Sequence, residues 1–124
     1  MRGWVDAAVA WYERALGFLL EFPFELPVLR GAMLVNRAGV RIELLERQGS
    51  GGGIGGSDPD AALLTRGWGH VALEVDDLDG AYRRLVQAGA SGVWEPRPSP
   101  QPGVRMAFVH DPEGNLVELI ERGV

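Results

Sequence analysis

The chain has 124 residues, is 46% hydrophobic and 23% charged, and carries a formal net charge of -5, which suits one globular domain or two small paired modules. The acidic balance excludes a general electrostatic footprint for nucleic acid. The lack of cysteine excludes a disulfide framework, a thiolate nucleophile and a Cys-rich zinc site. No apolar run approaches the ~20 residues of a membrane span, and the first six residues lack the apolar stretch of a signal peptide. The expectation is a cytoplasmic protein with no nucleic-acid and no membrane partner.

Residues 6–17 predict an amphipathic helix, with Val9, Trp11, Tyr12, Ala15 and Leu16 near helical spacing and Gly17 as its stop. Strand-like runs follow at 18–24, 31–36 and 40–46, with a hairpin connection at 36–39. The stretch QGSGGGIGGSDPD at 48–60 is too poor in apolar side chains to pack and reads as a linker, followed by a short helical turn at 61–64. In the second half, 70–75 reads as a strand, 79–88 as a helix ended by Gly89, and 92–95 as a short strand stopped by Pro96. A proline-rich loop at 96–102 leads to a strand at 104–110. A DPEG turn at 111–114 then opens the last strand, 116–121.

The halves repeat. IELLER at 42–47 matches VELIER at 117–122 at an offset of 75, and the helices superpose at an offset of 73, pairing Asp6 with Asp79, Ala8 with Ala81 and Ala15 with Ala88. Each half reads as a β-α-β-β-β unit of an α+β fold. The modules are 1–47 and 70–124, joined by the Gly-rich segment 48–69. At an offset of 73 the partner of His70 falls at position -3, so the first module lacks its opening strand. A late start is the favoured reading, since an absent strand exposes a sheet edge.

Period-2 alternation puts Val71, Leu73 and Val75 on one face of their strand and His70, Ala72 and Glu74 on the other. Glu118 and Glu43 likewise face away from their apolar neighbours, at matching places of the repeat. A lone strand glutamate is usually just solvated. Carboxylates between apolar neighbours on a concave face are costly unless paired or metal-bound. One imidazole and two carboxylates suit Zn, Ni, Mn, Mg or Fe(II).

The helix AVAWYERALGF, the strand GHVALEVDDLD and the ending AFVHDPEGNLVELIE strongly resemble the vicinal-oxygen-chelate superfamily, which includes glyoxalase I, bleomycin resistance proteins and extradiol dioxygenases. The resemblance covers nearly the whole chain and implies an α+β fold in which paired β-α-β-β-β modules form a cupped mixed sheet. It implies that His70, Glu118 and Glu43 are divalent-metal ligands, from the first and last strands of module two and the last strand of module one. The first-strand ligand of module one has no counterpart. The implied activity is a metal-dependent isomerase, lyase or epimerase working through an enediolate, with Glu118 or Glu43 as base. Alternatives are a metal-free protein that sequesters an antibiotic, and an extradiol-type dioxygenase. Arg41, Glu74 and Phe108 are candidate substrate contacts, with Arg105 and His110 weaker ones. Trp11, Trp68, Trp94 and Phe108 are candidate stacking rings, each more simply read as packing. A small-molecule substrate and a homodimer are the implied partners.

Overall fold

The computed structural model describes residues 4–51, 57–64, 66 and 69–123. It is a mixed α+β fold of two compact units, Met1–Gly53 and Ile54–Val124.

In the first unit, helix α1 (Trp4–Leu16) precedes three strands, β1 (Leu19–Leu26), β2 (Leu29–Val35) and β3 (Arg41–Arg47), which form one antiparallel sheet in that order. Gly17, at φ 72°, ends the helix in the left-handed region that favours glycine. The helix presents Val5, Ala8, Tyr12 and Ala15, all buried, and the sheet contributes Ala32 and the fully buried Leu34. Two points differ from the sequence reading. β1 runs through Pro23 to Leu26, which an edge strand tolerates because the missing N–H need not face a partner. A turn at Pro27 and Val28 then leads straight into β2, so residues between 25 and 30 are sheet rather than a long connection.

The second unit contains the short helix α2 (Pro59–Ala62), β4 (His70–Glu74), α3 (Leu78–Gln87), β5 (Ser91–Pro98), β6 (Val104–His110) and β7 (Leu116–Arg122). Its sheet order is β4-β7-β6-β5, with β4 parallel to β7 and the other pairs antiparallel. α3 packs against β5, β6 and β7. Beneath it lie Ala107, Val109, Val117 and Leu119, each at 0% exposure. Each buried leucine or valine contributes about 1.5–3 kcal/mol, more than an exposed ion pair adds. Val71, on the apolar face of β4, is 44% exposed because it stands on the edge strand beyond the elements α3 packs against.

Pro96 does not stop β5. The strand continues to Pro98 along the sheet edge, and a register shift between Trp94 and Arg97 takes Glu95 and Pro96 out of the ladder. The DPEG turn is built on Asp111, which is 5% exposed. Its Oδ1 accepts from the Glu113 and Asn115 N–H groups and its Oδ2 from Asn115 Nδ2, all at 2.9 Å.

The repeat is visible in the bonds as well as the sequence. In the first unit Arg30 lies 3.2 Å from Asp6 on α1 and 3.7 Å from Glu46 on β3, while the Val5 N–H donates to Glu46 at 3.4 Å. In the second, Arg105 lies 2.9 Å from Asp79 on α3 and 3.5 Å from Glu121 on β7, while the Leu78 N–H donates to Glu121 at 2.9 Å. In each unit an acidic residue in the helix's first turn, an arginine of the middle strand and a glutamate of the last strand fix where the helix begins. The carboxylates also favour the positive end of the helix dipole.

Candidate metal centre

The sheet of the second unit has one face under α3 and one face away from it. Cross-strand pairing assigns residues to the latter. Glu118 is opposite Ala72 on β4 and Phe108 on β6, and Phe108 is opposite Trp94 on β5. Alternation adds His70 and Glu74 on β4, Ile120 and Arg122 on β7, and Met106 and His110 on β6.

On this face Nε2 of His70 lies 3.0 Å from Oε1 of Glu118. The side chains are 30% and 16% exposed, respectively. An ionised carboxylate only accepts, so in this contact Nε2 carries the proton and donates. The His70 ring stands edge-on to Phe108 at 5.0 Å, and Phe108 stands edge-on to Trp94 at 5.4 Å. Phe108 is 3% exposed. Its ring is held between two other rings, so it supports His70 from the side instead of offering the open stacking surface that the sequence suggested.

The donors fit a divalent ion. Two atoms bound to one metal at about 2.1 Å, with angles between tetrahedral and octahedral, lie about 3.0–3.4 Å apart. The observed 3.0 Å spacing of an imidazole nitrogen and a carboxylate oxygen is such an edge. Among the described residues no group of three His, Asp or Glu side chains gathers in metal-binding proximity.

Glu43 occupies the matching place in the first unit. It lies mid-β3 opposite Met33, as Glu118 lies mid-β7 opposite Phe108, and it faces away from the buried Leu34 row. It is exposed, and among the described residues it has no hydrogen-bond or ion-pair partner. No described strand pairs with the β3 edge that corresponds to the β4 side of β7.

The remaining candidates are engaged elsewhere. A bulge between Leu20 and Phe22 frees Glu21, whose carboxylate takes the Arg41 guanidinium bidentately at 2.7–3.2 Å. This pairing holds the Glu21 carboxyl below and the Arg41 guanidinium above their ordinary pKa values, with the Arg41–Glu21 hydrogen bonds as the main cause in both. Arg105 is held by Asp79 and Glu121 on the α3 side of its sheet, which removes it from the His70 face. Glu74 keeps to the His70 face and accepts from Arg122 Nε at 2.9 Å. His110 is two strands from His70 across Leu116, with the backbones roughly 10 Å apart by strand spacing, and among the described residues the two belong to no group of three metal-ligating side chains. Trp11 is buried in the first unit, edge-on to Tyr12 at 4.8 Å. Trp68 lies outside the described residues. A cleft of about 340 Å³ opens between α1 and the β1–β2 pair. It lies on the helix side of that sheet, opposite the face that carries Glu43.

Sequence reasoning missed the Asp6–Arg30–Glu46 and Asp79–Arg105–Glu121 sets. The signal was present: Arg30 and Arg105 are 75 residues apart, the offset that relates the last strands. It also missed Arg97, whose guanidinium carbon lies 4.7 Å from the centre of the Trp94 ring.

A family model described as Glyoxalase/Bleomycin resistance protein/Dioxygenase superfamily matches residues 2–119. A 58-residue stretch is 38% identical to a probable lactoylglutathione lyase from Synechocystis, covering 47% of this chain and 44% of that protein. A 65-residue stretch is 37% identical to a lactoylglutathione lyase from Neisseria meningitidis, covering 52% of this chain and 47% of that protein. The alignments thus span under half the length of these curated relatives. Among solved structures, a glyoxalase family protein from Bacillus cereus superposes with a TM-score of 0.79 at 25% identity, over 97% of this chain and 87% of the other. Maize glyoxalase I superposes with a TM-score of 0.78 at 25% identity, over 96% of this chain and 41% of that one.

Proposed function

The chain belongs to the Glyoxalase/Bleomycin resistance protein/Dioxygenase superfamily, and from that premise we propose that it is a metal-dependent lyase or isomerase that moves a proton beside a carbonyl. The observation that carries the reading is the His70–Glu118 contact, an imidazole and a carboxylate spaced as two ligands of one ion on the face turned away from α3. His70 and Glu118 would hold the metal, and the duplicated pattern makes Glu43, at the matching place of the first unit, a further ligand candidate. When bound, the metal supplies Lewis acidity to the oxygens of a vicinal dioxygen substrate.

The chain's own groups do the proton work. A glutamate carboxylate takes the proton from the carbon beside the carbonyl, and the C–H electron pair forms the carbon–carbon double bond as the carbonyl electrons move to oxygen. The resulting enediolate regains a proton at the neighbouring carbon, so the reaction is redox-neutral overall and needs no external oxidant. Glu43 and Glu118 are the candidates for this base. Glu43 has the freer lone pairs, since it has no partner among the described residues, whereas Glu118 already accepts from His70. The names of the curated relatives suggest lactoylglutathione as the product. Extradiol ring cleavage needs two histidines and a carboxylate on one iron, and among the described residues no such three-ligand group is gathered.

No helix among the described residues is long and apolar enough to cross a membrane. A cytoplasmic homodimer is part of the proposal and is checked by fractionation and light scattering.

The deciding experiment loads the purified protein with Ni²⁺ or Zn²⁺ and follows thioester formation from methylglyoxal and glutathione. Metal-dependent turnover supports the lyase reading. A protein that retains no divalent ion, shows no metal-dependent thermal shift and forms no thioester is instead a metal-free binding protein.

A further inference from the structure

β5 carries an arginine placed unlike the others of its sheet. Trp94 is opposite Phe108 and Arg97 is opposite Met106, although Trp94 and Arg97 are three residues apart. Regular alternation would put them on opposite faces. The register shift between them restores Arg97 to the face of Trp94, Phe108 and His70. The guanidinium then lies over the Trp94 ring at 4.7 Å, and its Nε donates to the Glu95 carbonyl at 3.1 Å.

The other two arginines of this sheet are spent on carboxylates: Arg105 on Asp79 and Glu121, and Arg122 on Glu74. Among the described residues no carboxylate lies within ion-pair distance of Arg97. Its Nε is fixed by a backbone carbonyl and its plane by an indole face, so the two terminal nitrogens remain as a pre-set fork. Such a fork matches a carboxylate bidentately and loses little freedom on binding. Rings connect it to the metal ligands, with Arg97 on Trp94, Trp94 on Phe108 and Phe108 on His70, at successive spacings of 4.7, 5.4 and 5.0 Å.

We infer that Arg97 is a substrate-binding residue of this site, which takes a carboxylate on the part of the substrate remote from the reacting oxygens. The inference rests on the His70 face being the substrate face, as proposed above. It selects substrates that carry an anionic group over neutral analogues of the same shape, in a chain whose net charge of -5 otherwise repels anions. Trp94 acts as a positioning residue, because it holds the guanidinium plane.

The test uses S-methylglutathione, a non-reacting dicarboxylate, and its diethyl ester, titrated calorimetrically against the metal-loaded protein and its Arg97→Met and Arg97→Lys variants. Arg97→Met keeps a long apolar stem over Trp94 and removes the fork. The expected result is an affinity loss for S-methylglutathione of about 10- to 100-fold in Arg97→Met, with no change for the ester. Arg97→Lys is expected to recover part of the loss, because charge returns without the planar fork. Equal affinity of the wild type and Arg97→Met for S-methylglutathione overturns the inference, as does a wild type that does not bind it. Thermal melts of both variants, expected to match the wild type, separate lost binding from lost folding. The outcomes stay distinct from those of the lyase reading. Thioester formation insensitive to Arg97 sinks this assignment alone, and Arg97-dependent binding without turnover sinks the lyase reading alone.

Discussion

His70 and Glu118 meet although they are not directly paired. In the parallel ladder His70 is opposite Leu116 and Glu118 is opposite Ala72, so the 3.0 Å contact runs diagonally across one pleat. Diagonal neighbours on one face lie within reach of long side chains, and both of these lean toward the same point. The contact joins the first and last strands of one unit. Those strands are adjacent only because α3, β5 and β6 intervene in the chain and return β7 beside β4.

The three proposed ligands differ in what their removal does to the fold, and that difference makes the site testable. His70→Ala and Glu118→Gln are each expected to weaken Ni²⁺ or Zn²⁺ binding at least about 100-fold, as loss of one ligand from a three-ligand set requires. Glu43→Gln is expected to weaken it comparably while leaving stability within about 0.5 kcal/mol, because the Glu43 side chain is exposed and has no partner among the described residues. Isothermal titration with metal, paired with urea unfolding of each variant, reads both quantities. Unchanged metal affinity in Glu43→Gln removes it from the site and leaves the His70–Glu118 pair.

Much of this was legible in the sequence, and the reasons for the exceptions are specific. The alternation around Glu43, His70 and Glu118 carries through because a period-2 strand fixes which side chains share a face. The match of IELLER with VELIER carries through because the same six residues serve two purposes in each unit. Their central glutamate faces away from the helix, while the next glutamate, Glu46 or Glu121, caps the helix start. The contacts that sequence could not deliver depend on partners distant in the chain. Arg41 finds Glu21 and Arg105 finds Asp79 across 20 and 26 residues. The bulges at Glu21 and at Glu95 and Pro96 shift the face of the residues beyond them, which no local periodicity records. Pro96 misled because a proline's effect on a strand depends on whether that strand lies at the sheet edge, and sheet order is a property of the whole unit.

The DPEGN segment makes a structural prediction independent of any activity. Asp111 is buried and accepts from three donors of its own turn. Asp111→Ala strands the Glu113 and Asn115 N–H groups and the Asn115 amide, and is expected to cost about 2–3 kcal/mol. Asp111→Asn retains one acceptor oxygen and is expected to cost less. Urea denaturation at neutral pH measures both. Equal stability of Asp111→Ala and the wild type would mean the turn holds without its carboxylate, and the motif would then need a functional explanation.

The Asp79–Arg105 pair predicts how stability responds to acid. Hydrogen bonding from Arg105 holds the Asp79 carboxyl below its ordinary pKa of 3.8. The unfolded chain therefore binds this proton at a higher pH than the folded chain does, and stability rises with pH across the gap. The contribution is present above about pH 4 and is lost as pH falls from there through the lower folded value. Asp79→Asn removes it: the variant is expected to be less stable than the wild type at pH 6–7, with the two curves converging below pH 3. Both partners are exposed, so 1 M NaCl is expected to shrink the difference at neutral pH by screening. Glu21, held low by Arg41, responds in the same direction, so Glu21→Gln is expected to show the same convergence independently in the first unit. Chemical melts at pH 7, 5 and 3, at low and high salt, decide the matter. A gap between Asp79→Asn and the wild type that persists unchanged at pH 3 would show that Asp79 acts through the shape of the helix start and not through its charge.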